Sequence, residues 1–209
     1  MKTLVLSTSL HTTKRALSTF VALVCIAVLP VLSHATEKEK QVANDTTTVK
    51  FDVSESGPRF VFDEAPVFDD GLPAYGNAFV TEGVIFRHGY LDTHQGVSED
   101  GQPVNPEDVI GRWTCRGWFV GNGANTVTGP WVITTQLYDL GETPGGVTLI
   151  TDGMELVDKN APGARAVTGG TGPYQLARGQ ALQTLLGHNV SDGVDLRFEI
   201  TVVTPKPEG

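Results

Sequence analysis

Between Asn77 and Val203 the chain reads as one strand-length segment after another, and Gly83, Gly111, Gly117, Gly153 and Gly179 each fall inside such a segment. Glycine in a strand interior weakens a flat sheet and marks a bend, a bulge or a close backbone approach. A sheet that bends repeatedly is a sheet that curls. The segments themselves show the two-residue period of strands. In NAFVTEGVIFRHG, Asn77 to Gly89, Glu82, Val84, Phe86 and His88 share one face, and Thr81, Gly83, Ile85 and Arg87 share the other. DVIGRWTCRGWFV from Asp108, PWVITTQLYDL from Pro130, VTLITDGMEL from Val147, ARAVTGG from Ala164, YQLARGQALQTLLG from Tyr174 and GVDLRFEITVV from Gly193 come next, separated by turn residues. No segment offers a long capped helix. Tyr174 to Leu186 comes nearest, but its central Gly179 would cost about 1 kcal/mol against Ala in a helix. The strand reading is preferred there, with Tyr174, Leu176, Arg178, Gln180 and Leu182 on one face. A sandwich or a closed barrel remains, and the interior glycines favour the barrel, whose closure also removes exposed edges.

The flanks divide the chain further. Lys2, Lys14 and Arg15 precede the apolar run Leu17 to Leu32, and Ser33-His34-Ala35 supplies small residues for cleavage after Ala35. Residues 1–35 therefore read as a secretory signal, and the protein is expected outside the cytoplasm, secreted or periplasmic, with no membrane span. Residues 36–57 read as a mobile polar tail, to which Phe51 and Val53 could still add a short edge strand. The barrel domain is expected over residues 58–205. The stretch from Tyr90 to Glu107, with its prolines and glycines, reads as a long loop that is either mobile or functional.

Charge and cysteine content narrow the partners. Cleavage would remove three of the 15 Lys+Arg, leaving 12 against 24 Asp+Glu and a formal charge of −12. That argues against a polyanionic partner such as nucleic acid. Cys115 alone survives cleavage, so burial rather than a disulfide must hold the core, and Cys115 itself reads as an inert buried thiol.

RAVTGGTGPYQLARG, Arg165 to Gly179, has two physical readings. A phosphate cradle needs a strand before it and a helix opening after it. Here Pro173 and then Gly179 interrupt the segment downstream, so no nucleotide cofactor, and no other cofactor, is expected. A sharp corner between two strands fits: the glycines permit the turn and Pro173 sets the exit angle.

Around this corner the sequence resembles the allene oxide cyclase and dirigent barrel family. VTGGTGPYQLARGQA is similar to that family's Gly-Gly-Thr-Gly, aromatic, Ala-Arg-Gly motif. IGRWTCRGWF, WVITTQLYDL, LITDGMEL and LLGHNVSDGVDLRFEITV keep the order seen in its bacterial and fungal members, so the likeness spans Ala78 to Val203. The resemblance implies an all-β fold, a calycin-like eight-stranded antiparallel β-barrel with a largely apolar central cavity, and a possible homotrimer. It also implies a shared strategy. Plant dirigents steer phenoxy radical coupling, allene oxide cyclases close a ring, and in each case a shaped pocket restricts a reactive apolar molecule.

Candidate site residues come from the strand faces. Arg178 matches the Arg of the family motif. It reads as an anchor for an anionic or carbonyl group, or as a structural ion pair with Glu155 or Asp152. Thr134, Gln136 and Tyr138 share a strand face that either lines the pocket or meets water, opposite Trp131, Ile133, Thr135 and Leu137. Glu155 is a candidate acid/base if enclosed, and a solvated strand-end carboxylate if not. Arg178, Tyr138 and Glu155 are thus the catalytic candidates, with Gln136, Thr134, Tyr174 and Trp118 as ligand-binding candidates. His88, Asp92 and His94 read as loop residues, and no metal is expected. Asn44 and Asn189 each begin a glycosylation triplet. The expectation is a barrel that binds a small apolar or aromatic molecule and acts as a cofactor-independent cyclase, isomerase or stereochemical guide. The alternatives are a non-catalytic carrier and a structural or surface-interaction barrel.

Overall fold

The computed structural model describes residues 44–206. The expected signal peptide and residues 36–43 of the expected tail lie outside the described residues. Nine strands occur in chain order: β1 (Asn44–Glu55), β2 (Val61–Phe62), β3 (Ala78–Arg87), β4 (Gly111–Phe119), β5 (Pro130–Asp139), β6 (Thr148–Leu156), β7 (Pro162–Gly170), β8 (Arg178–His188) and β9 (Val194–Pro205). Between them stand only short 3-10 turns; no α-helix occurs among the described residues, and none is long and apolar enough to cross a membrane. From β3 to β9 each strand pairs antiparallel with the next. β1 pairs with β9 along its length and with β3 over Phe51–Glu55, which closes an eight-stranded antiparallel barrel. The two residues of β2 add only a short fringe to β3.

β1 corrects the reading of residues 44–57 as a mobile tail. Phe51 and Val53 are fully buried inside the barrel. Asp52 and Ser54 on the outer face are buried as well, because the segment after β3 folds back over them. The Leu91 amide donates to Asp52 at 3.1 Å, and Arg197 grips the same carboxylate through both Nε and Nη2. The expected long loop is thus an ordered flap over the barrel seam, with its own Val97 fully buried. At that seam Gly83 has a closing role: a Cβ there would lie 2.5 Å from the Ser54 carbonyl oxygen.

Alternation sorts each strand into an inner and an outer row. The half of the barrel nearest the Gly-Gly-Thr-Gly corner is filled by Phe51, Tyr138 and Phe198, whose ring centres lie 5.0–5.4 Å apart, with Leu149, Ile200 and Val202 around them. Each such side chain stabilises the fold by roughly 1.5–3 kcal/mol on burial. The corner itself is a 3-10 turn, Gly172–Tyr174. The Thr171 hydroxyl accepts from the Thr148 amide at 3.0 Å and donates to the Gly145 carbonyl at 2.8 Å, which ties the corner to the β5–β6 hairpin.

Candidate functional site

The other half of the barrel is polar inside. Val132, Thr134, Gln136 and Tyr138 form the inner row of β5, and Leu149, Thr151, Gly153 and Glu155 that of β6. Glu155 is the meeting point. Its Oε1 accepts from Thr134 Oγ1 at 2.6 Å and Gln136 Nε2 at 2.8 Å, and its Oε2 accepts from Gln183 Nε2 at 2.6 Å. Gln136 Nε2 also donates to Gln183 Oε1, and the Tyr138 hydroxyl donates to Gln136 Oε1 at 2.5 Å. Arg165 on the neighbouring strand β7 reaches over β6. Its Nη1 stands 3.8 Å from Glu155 Oε1, while Nε and Nη2 donate to the Thr151 hydroxyl and the Thr134 carbonyl. Gly153 makes this possible: a Cβ there would press on the Arg165 side chain at 3.1–3.2 Å.

A second carboxylate lies nearby. Glu55, at the end of β1, accepts from Thr81 Oγ1 at 2.6 Å and from the Val194 amide at 2.7 Å. Burial pushes its carboxyl up to about 7; the charge of Glu155 adds to the rise, and the two hydrogen bonds oppose it. Burial also pushes up the Tyr138 hydroxyl and the Cys115 thiol, so neither supplies an anion at neutral pH.

Glu55 and Glu155 line one chamber of about 40 Å³, with Thr81, Trp113, Cys115, Val132 and Val194. Its mouth is aromatic. Phe60 stacks on Phe79 with centres 5.2 Å apart, and Phe119 and Trp131 complete the ring. A chamber this size holds a water or two, whereas an apolar cavity that takes up benzene measures about 150 Å³. The expected largely apolar central cavity is thus present only as this small chamber. The chamber is small because Trp113, Tyr138, Phe51 and Phe198 occupy the barrel centre, and its walls include two carboxylates. Larger hollows of about 420 and 400 Å³ lie outside the barrel and meet at Arg112, but their surfaces are solvated and Arg59 is already paired with Glu82 there.

The structure brings Tyr138, Glu155, Gln136 and Thr134 together inside the barrel. It places the other candidates elsewhere. Arg178 is exposed and donates to the Thr168 and Ala177 carbonyls, so it staples the corner and pairs with neither Glu155 nor Asp152. Tyr174 stands at the same corner, beside Pro173 and Thr47, at the barrel end away from the chamber. Trp118 is on the outer row of β4 and 55% exposed. Among the described residues no cluster of His, Cys, Asp and Glu is placed to hold a metal. Asp92 instead accepts from Arg197, and His94 stacks on Tyr90. The Asn189 side-chain amide donates to Ser54, Glu55 and Asp195.

Glu55, Arg165 and Gln183 were not among the candidates. Arg165 opens the glycine stretch and shares a face with Val167, a period-2 signal that was legible. Glu55 lay in the segment read as tail.

The fold and site define a closed antiparallel barrel with an apolar plug at one end and a carboxylate-bearing chamber under an aromatic mouth at the other. No protein-family model matches the chain, and no curated protein does. Among solved structures the chain is similar to two pterocarpan synthase dirigent proteins, GePTS1 and PsPTS1. The first has a TM-score of 0.55 at 16% identity and covers 79% of this chain and 93% of its own. The second has a TM-score of 0.54 at 16% identity and covers 78% and 97%. At that identity the likeness is one of fold.

Proposed function

We propose that the barrel accepts a small, mainly aromatic or apolar molecule through its Phe60 mouth and holds it over Glu55 and Glu155. The observation that carries this reading is the pair of carboxylates enclosed in one chamber beneath an aromatic ring. Burying a carboxylate costs several kcal/mol after relaxation, and a barrel filled only for stability has no need of two. Phe60 belongs to the segment after β1 rather than to a barrel strand, and it stacks in the mouth as a ring-shaped guest would. Its departure makes the room that the closed chamber lacks.

The chemistry such a site supports is cofactor-independent proton transfer on a guest held in one conformation. A carboxyl poised near neutrality can give or take a proton at working pH, and the enclosing walls restrict the guest's shape. Cyclisation, isomerisation and dirigent-like guidance all fit this description, and the dirigent structures with the same fold lend it support. The leader-like residues 1–35 add the proposal that it acts after export.

The chamber's 40 Å³ favours a second reading, a structural or surface-interaction barrel with a filled centre. Calorimetric titration of small aromatic probes into wild-type protein and Phe60→Ala separates the two. Binding that strengthens in Phe60→Ala supports the mouth; no binding by either protein leaves the filled barrel.

A further inference from the structure

Trp113 and Trp131 both line the chamber, and the indole Nε1 of each is buried without a hydrogen-bond partner in the protein. An indole nitrogen is a donor only, and leaving it buried and unpaired is costly. The chamber's own acceptors do not absorb these donors. Glu55 is engaged by Thr81 and Val194, and Glu155 by Thr134, Gln136 and Gln183. The two residues that carry these surplus donors thus line one small space.

The chain makes a specific departure to bring the second of them there. Strict alternation along β5 places Trp131 on the outer row with Ile133. The β5–β6 pairing instead shifts between Pro130, opposite Leu156, and Val132, opposite Glu155, so Trp131 is an extra residue with no partner on β6. A bulge of this kind re-aims the side chain it carries. Trp131 turns into the mouth, edge-on to Phe119 at 6.2 Å between ring centres. The bulge thus separates Trp131 from Ile133, with which the two-residue period groups it.

We infer that Trp113 and Trp131 form a two-donor site for an acceptor oxygen, and that guests of this barrel carry a neutral carbonyl or ether oxygen on an aromatic or apolar frame. The inference rests on the mouth reading proposed above. Neutrality is set by the walls: Glu55 and Glu155 line the same chamber and disfavour a carboxylate or phosphate guest. Water satisfies the same donors at rest, and a guest oxygen reproduces its hydrogen bonds on displacing it.

The test is NMR of nitrogen-15-labelled wild-type protein. The sequence has three tryptophans, and Trp118 on the outer face is the internal control. Signals are assigned with Trp113→Phe and Trp131→Phe. Three probes of one frame are titrated: acetophenone, ethylbenzene and benzoate. Acetophenone is expected to shift the Trp113 and Trp131 indole signals, leave Trp118 in place, and bind about tenfold tighter than ethylbenzene. Benzoate is expected to bind more weakly than acetophenone. Each Phe variant is expected to weaken acetophenone severalfold and leave ethylbenzene unchanged. Equal binding of acetophenone and ethylbenzene, with both inner indole signals unmoved, overturns the donor site while the mouth reading stands. Failure of every probe, in wild type and in Phe60→Ala, overturns both. The wild-type titration needs no variant, so an unfolded Trp131→Phe does not remove the test.

Discussion

Arg165 and Glu155 stand side by side on the neighbouring strands β7 and β6, Nη1 to Oε1 at 3.8 Å, with the arginine side chain wholly shielded from solvent. The contact is too long to be a hydrogen bond, and the carboxylate oxygen already accepts from Thr134 and Gln136. The pair therefore acts by charge. Each member makes the other's burial tolerable, and the surrounding threonine and glutamine donors complete the compensation.

Removing one member leaves an uncompensated buried charge. Arg165→Met is expected to destabilise the fold by about 3–5 kcal/mol, measured by urea unfolding at pH 7. The double variant Arg165→Met with Glu155→Gln is expected to recover part of that loss. A single-variant cost below about 1 kcal/mol would mean that the pair is not buried in solution.

Glu55 makes stability depend on pH. Its folded pKa of about 7 lies above the ordinary 4.5, so between those values the folded protein holds a proton that the unfolded chain has released. The stabilisation is complete below about 4.5 and is lost as pH rises through 7. Its full size is roughly 3 kcal/mol. Burial raises Asp195 too, which adds a slope of the same sign at lower pH. Unfolding free energies at pH 5 and pH 8 should differ in favour of pH 5, and Glu55→Gln should flatten the difference.

Phe60 is half-buried and lies over the mouth, packed on Phe79 and near Phe119. Phe60→Ala is expected to cost about 1–2 kcal/mol of stability and to open the chamber. Crystals of the variant soaked with a small aromatic should show it between Phe79 and Glu155. Density only in the outer hollows at Arg112 would move the site out of the barrel.

Arg178 and Trp118 serve as negative controls. Arg178→Leu removes two hydrogen bonds at the glycine corner and is expected to cost about 1–2 kcal/mol without altering probe binding. Trp118→Ala, on the outer surface, is expected to change stability by less than about 0.5 kcal/mol. Loss of probe affinity in either variant would return these residues to the site.

The barrel was legible before its interior was. The two-residue period of β3 to β9 and the glycines within the strands specify a curled antiparallel sheet, because sidedness and bending are local properties of the backbone. Val49, Phe51 and Val53 alternate just as well in β1. Its upstream run of threonines and its polar outer row concealed it, since Asp52 and Ser54 are buried only when the segment after β3 folds over them.

By itself the sequence determined strands β3 to β9, the corner after β7 and the shared face of Thr134, Gln136 and Tyr138. Only the tertiary structure decided that this row faces Glu155 and Arg165, that Arg178 stays outside, and that a bulge turns Trp131 inward. The physical reason is that period-2 patterning distinguishes two faces without saying which is enclosed. Barrel closure makes that choice, by bringing strands distant in sequence, β1 against both β3 and β9, around one shared interior.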